Sequence, residues 1–555
     1  MPADTYMLEV LRAAPRLLSL MDRSPLSKTF GCFDRQYWHY TAIDFPCARS
    51  QEAALTLALL YKTPHPKNPY YDNAMVLEWA NAALDFWARI QDSNGSFSEW
   101  YPHENSFVAT VFSSYAVSEA LIQLGDSARD RDALIDSLKR SAAYFTSMDE
   151  GRAVNQETGA IAALCNLSIL TGEKRYLDAA SQKMSFIQKN QTEEGWFPEY
   201  GGADIGYLSL AIDYLAKYQR KSRDDLALPV LEKAVSFIKY FIHPDSTFGG
   251  EYASRNTSYL IPDGFEILSP VSRAAASIAC KIRESLEKRS SVWLASIDDR
   301  YLSYITYTYL QAYSDARDLG SKQEALPCEK EASKVFPLAG FWIYGDGSIY
   351  VIANQKKGGT FKAFFKQSGD SFTDCGITAE TSSGARLVSS WLTDSCQPQA
   401  SENSAESSGV MRLMPGKYLT PAKSLILRSF QMTAGRNAFI GRKVKDKLRD
   451  HLITKTGGAD ITFERRITVK DGSLCIVDRV SPVKDIRKLI IGGSASHIYT
   501  PSSRYFQGSD LATEPLVLEK KDFFRHAKDG SLRIERSLDL KGIMVECRMG
   551  AGDGS

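Results

Sequence analysis

The sequence predicts an α+β chain of two domains. Residues 1–318 form an N-terminal α/α toroid (a helical array), residues 319–334 a linker, and residues 335–555 a C-terminal antiparallel β-sandwich. Three observations predict it. Apolar residues recur at helical spacing in one segment after another up to about residue 318, with no alternating pattern between them. Beyond the linker the period falls to two. The frame Gln-x-x-x-Gly-x-Phe-x-Glu-aromatic occurs twice, at Gln91–Trp100 and Gln191–Tyr200. A loop repeated at the same point of successive helix pairs marks a helical array, and such loops share one face.

Taken in order, residues 4–22 are the first predicted helix, with Leu8, Leu11, Leu17 and Leu20 for a core. Residues 74–90 give the clearest pattern, with Val76, Trp79, Ala83, Phe86 and Ile90 on one stripe. Helices are then expected at 107–124, 133–148, 159–170, 174–188, 206–218, 228–241, 272–286 and 302–316. Gly, Pro, Asn and Asp fill the connections. Helices in pairs bury their apolar stripes only against the next pair, which is the logic of a toroid, complete or incomplete.

In the second half Ile461 and Phe463, Ile467 and Val469, and Leu474 and Ile476 alternate with polar residues. Asp346-Gly347, Asp471-Gly472 and Asp529-Gly530 read as hairpin turns. The Ser-rich stretch 394–409 reads as a long exposed loop.

A formal net charge of +1 implies no nucleic-acid partner. No stretch reads as a membrane span, and no basic segment followed by an apolar run opens the chain. Nine cysteines form no CxxC pair and no zinc spacing. Their odd number points to a reducing compartment, so cytoplasm is the expected location, or periplasm if the sequence is trimmed. No cofactor and no metal is expected. Phosphate-binding glycine loops, GxSxG, HExxH and calcium loops are all missing from the sequence.

Chemistry therefore has to lie in the polar clusters of the loop face. These are Tyr101-Pro-His103-Glu104-Asn105, Asn155-Gln156, the group Glu199, Asp204 and Tyr207, and the run from Gly249 through Glu251, Arg255 and Asn256 to Tyr259. A helical toroid followed by an antiparallel β domain resembles the toroid-type polysaccharide lyases, in particular the heparinase II/III and alginate-lyase group. That group carries an Asn at the start of a toroid helix and, about fifty residues on, a Gln, a Gly, a Glu and a Tyr. Asn155, Gln191, Gly195, Glu199 and Tyr207 follow that order. Gln156 stands where those enzymes often have His, and His451 and His497 are the β-domain candidates for their strand histidine.

The resemblance implies β-elimination on a uronate-containing acidic polysaccharide or oligosaccharide. Asn155 would neutralise the sugar carboxylate, with Arg255 or His103 sharing the load. Tyr207, or else Tyr259, would move the proton, its pKa lowered by nearby positive charge. Glu199, Asn105, Trp100, Trp196, Glu251 and Asn256 would contact substrate.

Each side chain also has a plain structural use. Asn155 could cap a helix, Tyr207 could sit in the core, His103 could order Glu104, and Arg255 could pair with Glu251. Glu99 and Glu199 could order their loops through backbone N–H groups. Two other functions remain open. An inverting glycoside hydrolase would need two carboxylates roughly 6.5–9.5 Å apart, drawn from Glu99, Glu199, Asp204 and Glu251. A non-catalytic sugar-binding protein of polysaccharide production would need none.

Overall fold

The computed structural model describes residues 4–551 except 152, 321–322, 415–419, 438–439, 442, 445–446, 448–456, 471–472, 497–504, 528–529 and 540. Its helices are α1 (Asp4–Leu20), α2 (Arg35–Trp38), α3 (Ala53–Lys62), α4 (Ala74–Arg89), α5 (Phe107–Leu124), α6 (Arg131–Thr146) and α7 (Asn155–Thr171). They continue with α8 (Lys174–Asn190), α9 (Ile205–Ser222), α10 (Ala227–Ile238), α11 (Asp263–Leu268), α12 (Arg273–Lys288) and α13 (Asp299–Asp315).

Helices α3, α5, α7, α9, α11 and α13 follow one another around an inner ring, and α13 closes it by packing on α3. Behind them stand α4, α6, α8, α10, α12 and α1. The chain alternates outer and inner helices, so every connection that leads from an outer helix into an inner one opens on the same face. The Gln91 and Gln191 loops are two of these.

Position in the ring decides the sequence pattern. Outer helices are amphipathic; the inner helices α3, α5 and α7 are buried on nearly every side. The run Ala53-Ala-Leu-Thr-Leu-Ala-Leu-Leu60 in α3 is wholly buried and so shows no helical period, which hid it from periodicity. The same effect corrects the membrane reading. The stretch Phe107–Ser127 is long and apolar enough to cross a bilayer, but 83% of an 18-residue span within it is buried in the toroid.

The β domain is a meander and a larger sheet. The first sheet runs β1 (Ala332–Phe336), β2 (Phe341–Gly345), β3 (Ile349–Asn354), β4 (Thr360–Phe365) and β5 (Ser371–Asp374) in chain order. Strand β1 starts inside the segment expected to be linker, and that segment is pinned to the toroid by buried Leu319, Leu326 and Cys328. One face of this sheet, with Phe336, Phe341, Ile343, Tyr350, Ile352 and Phe364, joins the toroid core. The other face, with Trp342, Val351, Phe361 and Phe365, packs on Ile467, Val469, Leu474 and Ile476 of the second sheet. Burial on both faces is why β3 and β4 read as continuous buried runs rather than alternating ones.

The second sheet holds β6 (Ile377–Thr381), β7 (Arg386–Val388), β8 (Gln397–Ala400), β9 (Ser404–Leu413), β10 (Gly458–Lys470), β11 (Ser473–Ser481), β12 (Ile486–Ile491), β13 (Leu516–Glu519), β14 (Leu532–Leu538) and β15 (Met544–Ala551). Its order is β13-β12-β6-β7-β9-β10-β11-β14-β15, with β8 on β9. Alternation in β10 and β11 is as the sequence reads.

Two turn and loop expectations change. The stretch 394–409 is no open loop: β8 pairs with β9 there, and the β8 residues face solvent while Ser407 of β9 is buried. Asp529-Gly530 joins no hairpin, because β13 pairs with β12 and β14 with β11 and β15; Asp529 itself lies outside the described residues. Asp346-Gly347 does turn β2 into β3. Residues 471–472 also lie outside the described residues, between the paired ends Lys470 and Ser473.

Candidate active site at the toroid mouth

The repeated frame is a backbone device. In the first copy Gly95 N–H donates to the Asp92 carbonyl (2.9 Å) and Asp92 N–H to the Ser96 carbonyl (2.9 Å). In the second, Gly195 donates to Thr192 (3.0 Å) and Thr192 to Trp196 (3.0 Å). Gln91 Nε2 donates to the carbonyls of Gly95 and of Ser137 in α6; Gln191 Nε2 does the same with Gly195 and with Val230 in α10. Both glycines have positive φ, +84° and +101°, and a Cβ on either would collide with a backbone carbonyl of the neighbouring outer helix, Arg140 or Lys233. Only glycine meets both demands.

The structure adds two copies that the sequence conceals. Gly31 donates to Asp22 (3.0 Å), Asp22 donates to Cys32 (2.8 Å), and a Cβ on Gly31 would collide with Ala82 of α4. Its glutamine comes from elsewhere: Gln51 Nε2 donates to Gly31 and Ala83 carbonyls, both at 3.0 Å. In the fourth copy Ser246, at φ +61°, replaces the glycine, donating to His243 (3.1 Å) while His243 donates to Thr247 (3.1 Å).

The glutamate of each visible copy carries a cation from far along the chain. Glu199 Oε1 accepts from Arg255 Nη1 at 2.5 Å, and that guanidinium lies over the Tyr200 ring, 4.9 Å from its centroid. Glu99 Oε1 accepts from Arg300 Nη2 at 2.5 Å, and Arg300 lies 3.6 Å over Trp100. Glu99 also holds its own loop, its Oε2 accepting from Ser106 Oγ at 3.3 Å. The backbone N–H groups of the first loop are taken by Glu104, whose Oε2 accepts from Glu99 N–H (2.9 Å) and Trp100 N–H (2.7 Å).

Tyr207 stands at the first turn of α9, half-buried. Asp204 caps this helix, accepting from Tyr207 N–H (3.1 Å) and Thr257 Oγ1 (2.5 Å), while its other oxygen accepts from Arg255 N–H (2.9 Å). One carboxylate thus docks the 250s loop on the start of α9 and aims Arg255. Arg255 Nη2 then donates to the Tyr207 hydroxyl at 3.2 Å, with the guanidinium 4.6 Å from that ring's centroid. A second hydroxyl, that of Tyr301, lies 3.0 Å from Tyr207 Oη. Tyr301 was not visible as a site residue in the sequence. Its neighbours in the predicted helix look like core, and only ring closure by α13 brings it and Arg300 to the two loops. Tyr259 and Tyr505 flank the Tyr301 ring, at centroid distances of 6.2 and 6.0 Å.

Burial sets the charges here. It pushes the Tyr207 phenol well above its ordinary value, outweighing Arg255, which pulls the other way. This reverses the expected lowering. Burial also raises Glu199 to about 8, against the pull of Arg255 and with the help of Asp204.

Asn155 is the first residue of α7 and does not cap it; Val154 occupies the cap position. The preceding turn bridges to the second loop through Ala153 and Glu199. Asn155 is 4% exposed, and its Oδ1 has no hydrogen-bond partner among the described residues.

The other expected contacts are distributed differently. His103 Nδ1 lies 3.6 Å from Asp92 Oδ1. Asn105 braces the first loop, accepting from Asn94 and Ser96 side chains. Trp196 is buried, its Nε1 donating to Glu194, which also accepts from Leu338 and Ala339 N–H of the β domain. Trp100 is 56% exposed. Glu251 accepts from Ser496 N–H and Oγ, and Asn256 binds Ser496 and Lys357, so both tie the loop face to the β domain. His451 and His497 lie outside the described residues.

No protein-family model matches this chain, and no curated protein matches it by sequence. Solved structures do. A xanthan lyase from Paenibacillus superposes with a TM-score of 0.50 and 11% identity, over 88% of this chain and 46% of that one. The chondroitin AC lyase of Streptomyces coelicolor A3, solved with chondroitin sulphate, superposes with a TM-score of 0.53 and 10% identity, over 88% and 68%. The chain spans about half the length of the xanthan lyase. The likeness shows the fold: this chain has the α/α toroid and antiparallel β domain of the toroid-type polysaccharide lyases.

Proposed function

We propose that this chain is a carbon–oxygen lyase that cleaves a uronate-containing acidic polysaccharide or oligosaccharide by β-elimination. The observation that carries the reading is the Tyr207 hydroxyl, held 3.2 Å from Arg255 and 3.0 Å from Tyr301 in a toroid of lyase fold.

Elimination needs the proton α to a sugar carboxylate removed, and the resulting charge accommodated. Among the described residues the Asn155 amide is uncommitted at its oxygen, and a half-turn of the amide presents its NH2 at the same spot. Arg255 is the second neutralising group. While Glu199 holds its proton, below about 8, Arg255 keeps its full positive charge; above that, the carboxylate cancels it.

Tyr207 carries the proton. Arg255 can only donate, so it occupies a lone pair of the Tyr207 oxygen. With a second hydroxyl group at hand in Tyr301, a phenolate formed there has two possible donors, although burial outweighs Arg255 in the free site. As phenolate, Tyr207 takes the α proton. The C4–O bond breaks, its electron pair leaves with the oxygen, and Tyr207 returns the proton to that oxygen. The double bond forms between C4 and C5, conjugated with the carboxylate, and the phenolate is restored.

Glu199 supports a second reading. A carboxyl that stays protonated near neutral pH is suited to act as the general acid of a glycosidase. Incubation with a panel of uronate polymers and oligomers, with chelator present, separates the readings. Elimination gives new ultraviolet absorbance, and Tyr207→Phe abolishes it while sparing binding. Reducing ends without absorbance, lost in Glu199→Gln, would replace the lyase with the hydrolase. Binding without product across the panel would leave the sugar-binding reading.

A further inference from the structure

Arg255 sits in a segment that has no regular structure to hold its shape. Residues 252–262 are buried, yet form neither helix nor strand before α11 begins at Asp263. No ladder supplies donors to their carbonyl groups, so those groups must be met from elsewhere.

One side of the segment is docked on the toroid. Ser254 N–H donates to the Ala203 carbonyl (3.0 Å), and Asp204 takes Arg255 N–H (2.9 Å). The other side is held by the β domain, through the turn between β3 and β4. Lys357 in that turn is 0% exposed. Its Nζ donates to the Glu251 carbonyl (2.6 Å), the Ala253 carbonyl (2.7 Å) and Asn256 Oδ1 (2.5 Å). An ammonium has three N–H donors. Here they take two groups before Arg255 in the chain and one after it. The lysine is itself fixed: its N–H donates to Asn354 Oδ1 (3.2 Å), and its carbonyl accepts from Thr360 Oγ1 (2.8 Å). Asn354 Nδ2 reaches the same loop, donating to the Tyr252 carbonyl (2.8 Å). Asn256 stands at φ +59°, and its Nδ2 donates to Ser496 Oγ, which donates to Glu251 Oε2.

We propose that Lys357 is a positioning residue of the site: its ammonium gathers the 250s loop around Arg255 and so sets the guanidinium against Tyr207 and Glu199. It rests on the reading of Arg255 as the group that neutralises the uronate, and it acts only through that residue. Asp204 fixes the Arg255 backbone at one point, about which the loop could pivot. A charged donor with three ligands, reaching in from the opposite side, removes that freedom. Glu251 and Asn256, expected on substrate, are spent on this clamp. A displacement of about 1 Å in such a group costs about a hundredfold in rate.

The test reads Tyr207 without turnover. The full chain is labelled with 3-fluorotyrosine, and the Tyr207 fluorine resonance is the one missing from Tyr207→Phe. Arg255→Met should shift it, because the guanidinium lies 3.2 Å from the hydroxyl and 4.6 Å from the ring centroid. Lys357→Met should shift it in the same direction, and adding Lys357→Met to Arg255→Met should move it no further. Tyr350→Phe is the control. It deletes a bond between the domains outside this loop, from Tyr350 Oη to the Tyr240 carbonyl (2.7 Å), and should leave the resonance in place. Should Lys357→Met fail to fold, Asn256→Gly decides: glycine keeps the left-handed backbone and removes the oxygen that Lys357 holds. It should shift the resonance part of the way. A Tyr207 resonance unmoved in Lys357→Met, or in Asn256→Gly where Lys357→Met does not fold, overturns the proposal. So does a resonance unmoved in Arg255→Met, an equal shift in Tyr350→Phe, or a further shift in the double variant. Where the wild-type chain eliminates, Lys357→Met should also lower kcat/KM by about a hundredfold, and cost nothing more in Arg255→Met; full kcat/KM in Lys357→Met overturns the role. If no absorbance develops with the wild-type chain, the lyase reading falls, and the fluorine shifts still decide whether Lys357 places Arg255.

Discussion

Replacing Arg255 by methionine tests the electrostatics of the site most directly. The guanidinium is 8% exposed and Glu199 3%, with 2.5 Å between them. Removing one member of a buried ion pair costs about 3–5 kcal/mol when the other is left charged. Loss of the Tyr207 hydrogen bond and of the stacking adds about 1–2 kcal/mol. Glu199 has an escape, because burial already lifts its carboxyl from 4.5 to about 8. The sign follows from linkage. An acid whose folded value is raised keeps its proton after the unfolded chain has lost it, so stability falls as pH rises from about 4.5 and levels off above about 8. In Arg255→Met the downward pull of the guanidinium is gone, the plateau moves to higher pH, and stability goes on falling by about 1.4 kcal/mol per pH unit. Wild type and variant should therefore diverge by about a further 2 kcal/mol between about pH 8 and about pH 9.5. Urea unfolding at both values measures it, alongside Glu199→Gln and the double variant. The double variant should recover most of the loss and show no divergence. A difference between wild type and Arg255→Met that is the same at both pH values, or that persists in the double variant, refutes the pairing of charge described here.

The same carboxyl governs substrate. If Arg255 neutralises a uronate, KM should rise as pH passes about 8, where Glu199 ionises and cancels Arg255, and Glu199→Gln should flatten that rise while retaining turnover. Initial rates across pH measure it; a wild-type rise that persists in Glu199→Gln counts against the assignment. Gly195→Ala should cost about 2–4 kcal/mol, from a left-handed conformation and a collision with the Lys233 carbonyl, and should reduce turnover by moving Glu199. Gly172→Ala, also at positive φ (+72°) but facing open space, should cost about 1–2 kcal/mol and leave turnover alone. Equal losses in the two would deny the glycine its packing role.

What the sequence by itself determined is local. A glycine four residues after a glutamine, followed by Phe and Glu, encodes a loop whose hydrogen bonds close within the frame and onto the adjacent outer helix, so Gln91–Trp100 and Gln191–Tyr200 were legible as repeats. Alternation in β10 and β11 and the amphipathic stripe of α4 were legible for the same reason, since one buried face writes a period into the chain. Tertiary structure decided the rest. The Gly31 copy borrows its glutamine from Gln51 and stretches the frame by six residues, and the Ser246 copy lacks both glycine and glutamine, so only shared backbone bonds identify them. Helix α3 is buried all round and writes no period. Most of all, the cations of the two glutamates lie 56 and 201 residues away, and Tyr301 meets Tyr207 across 94. The Arg300 and Tyr301 pairings depend on α13 closing the ring onto α3, the Arg255 pairing on Asp204 docking the 250s loop, and burial then turned a tyrosine expected to be acidified into one held neutral. Periodicity reports which face of a segment is dry; only closure of the ring determines what meets there.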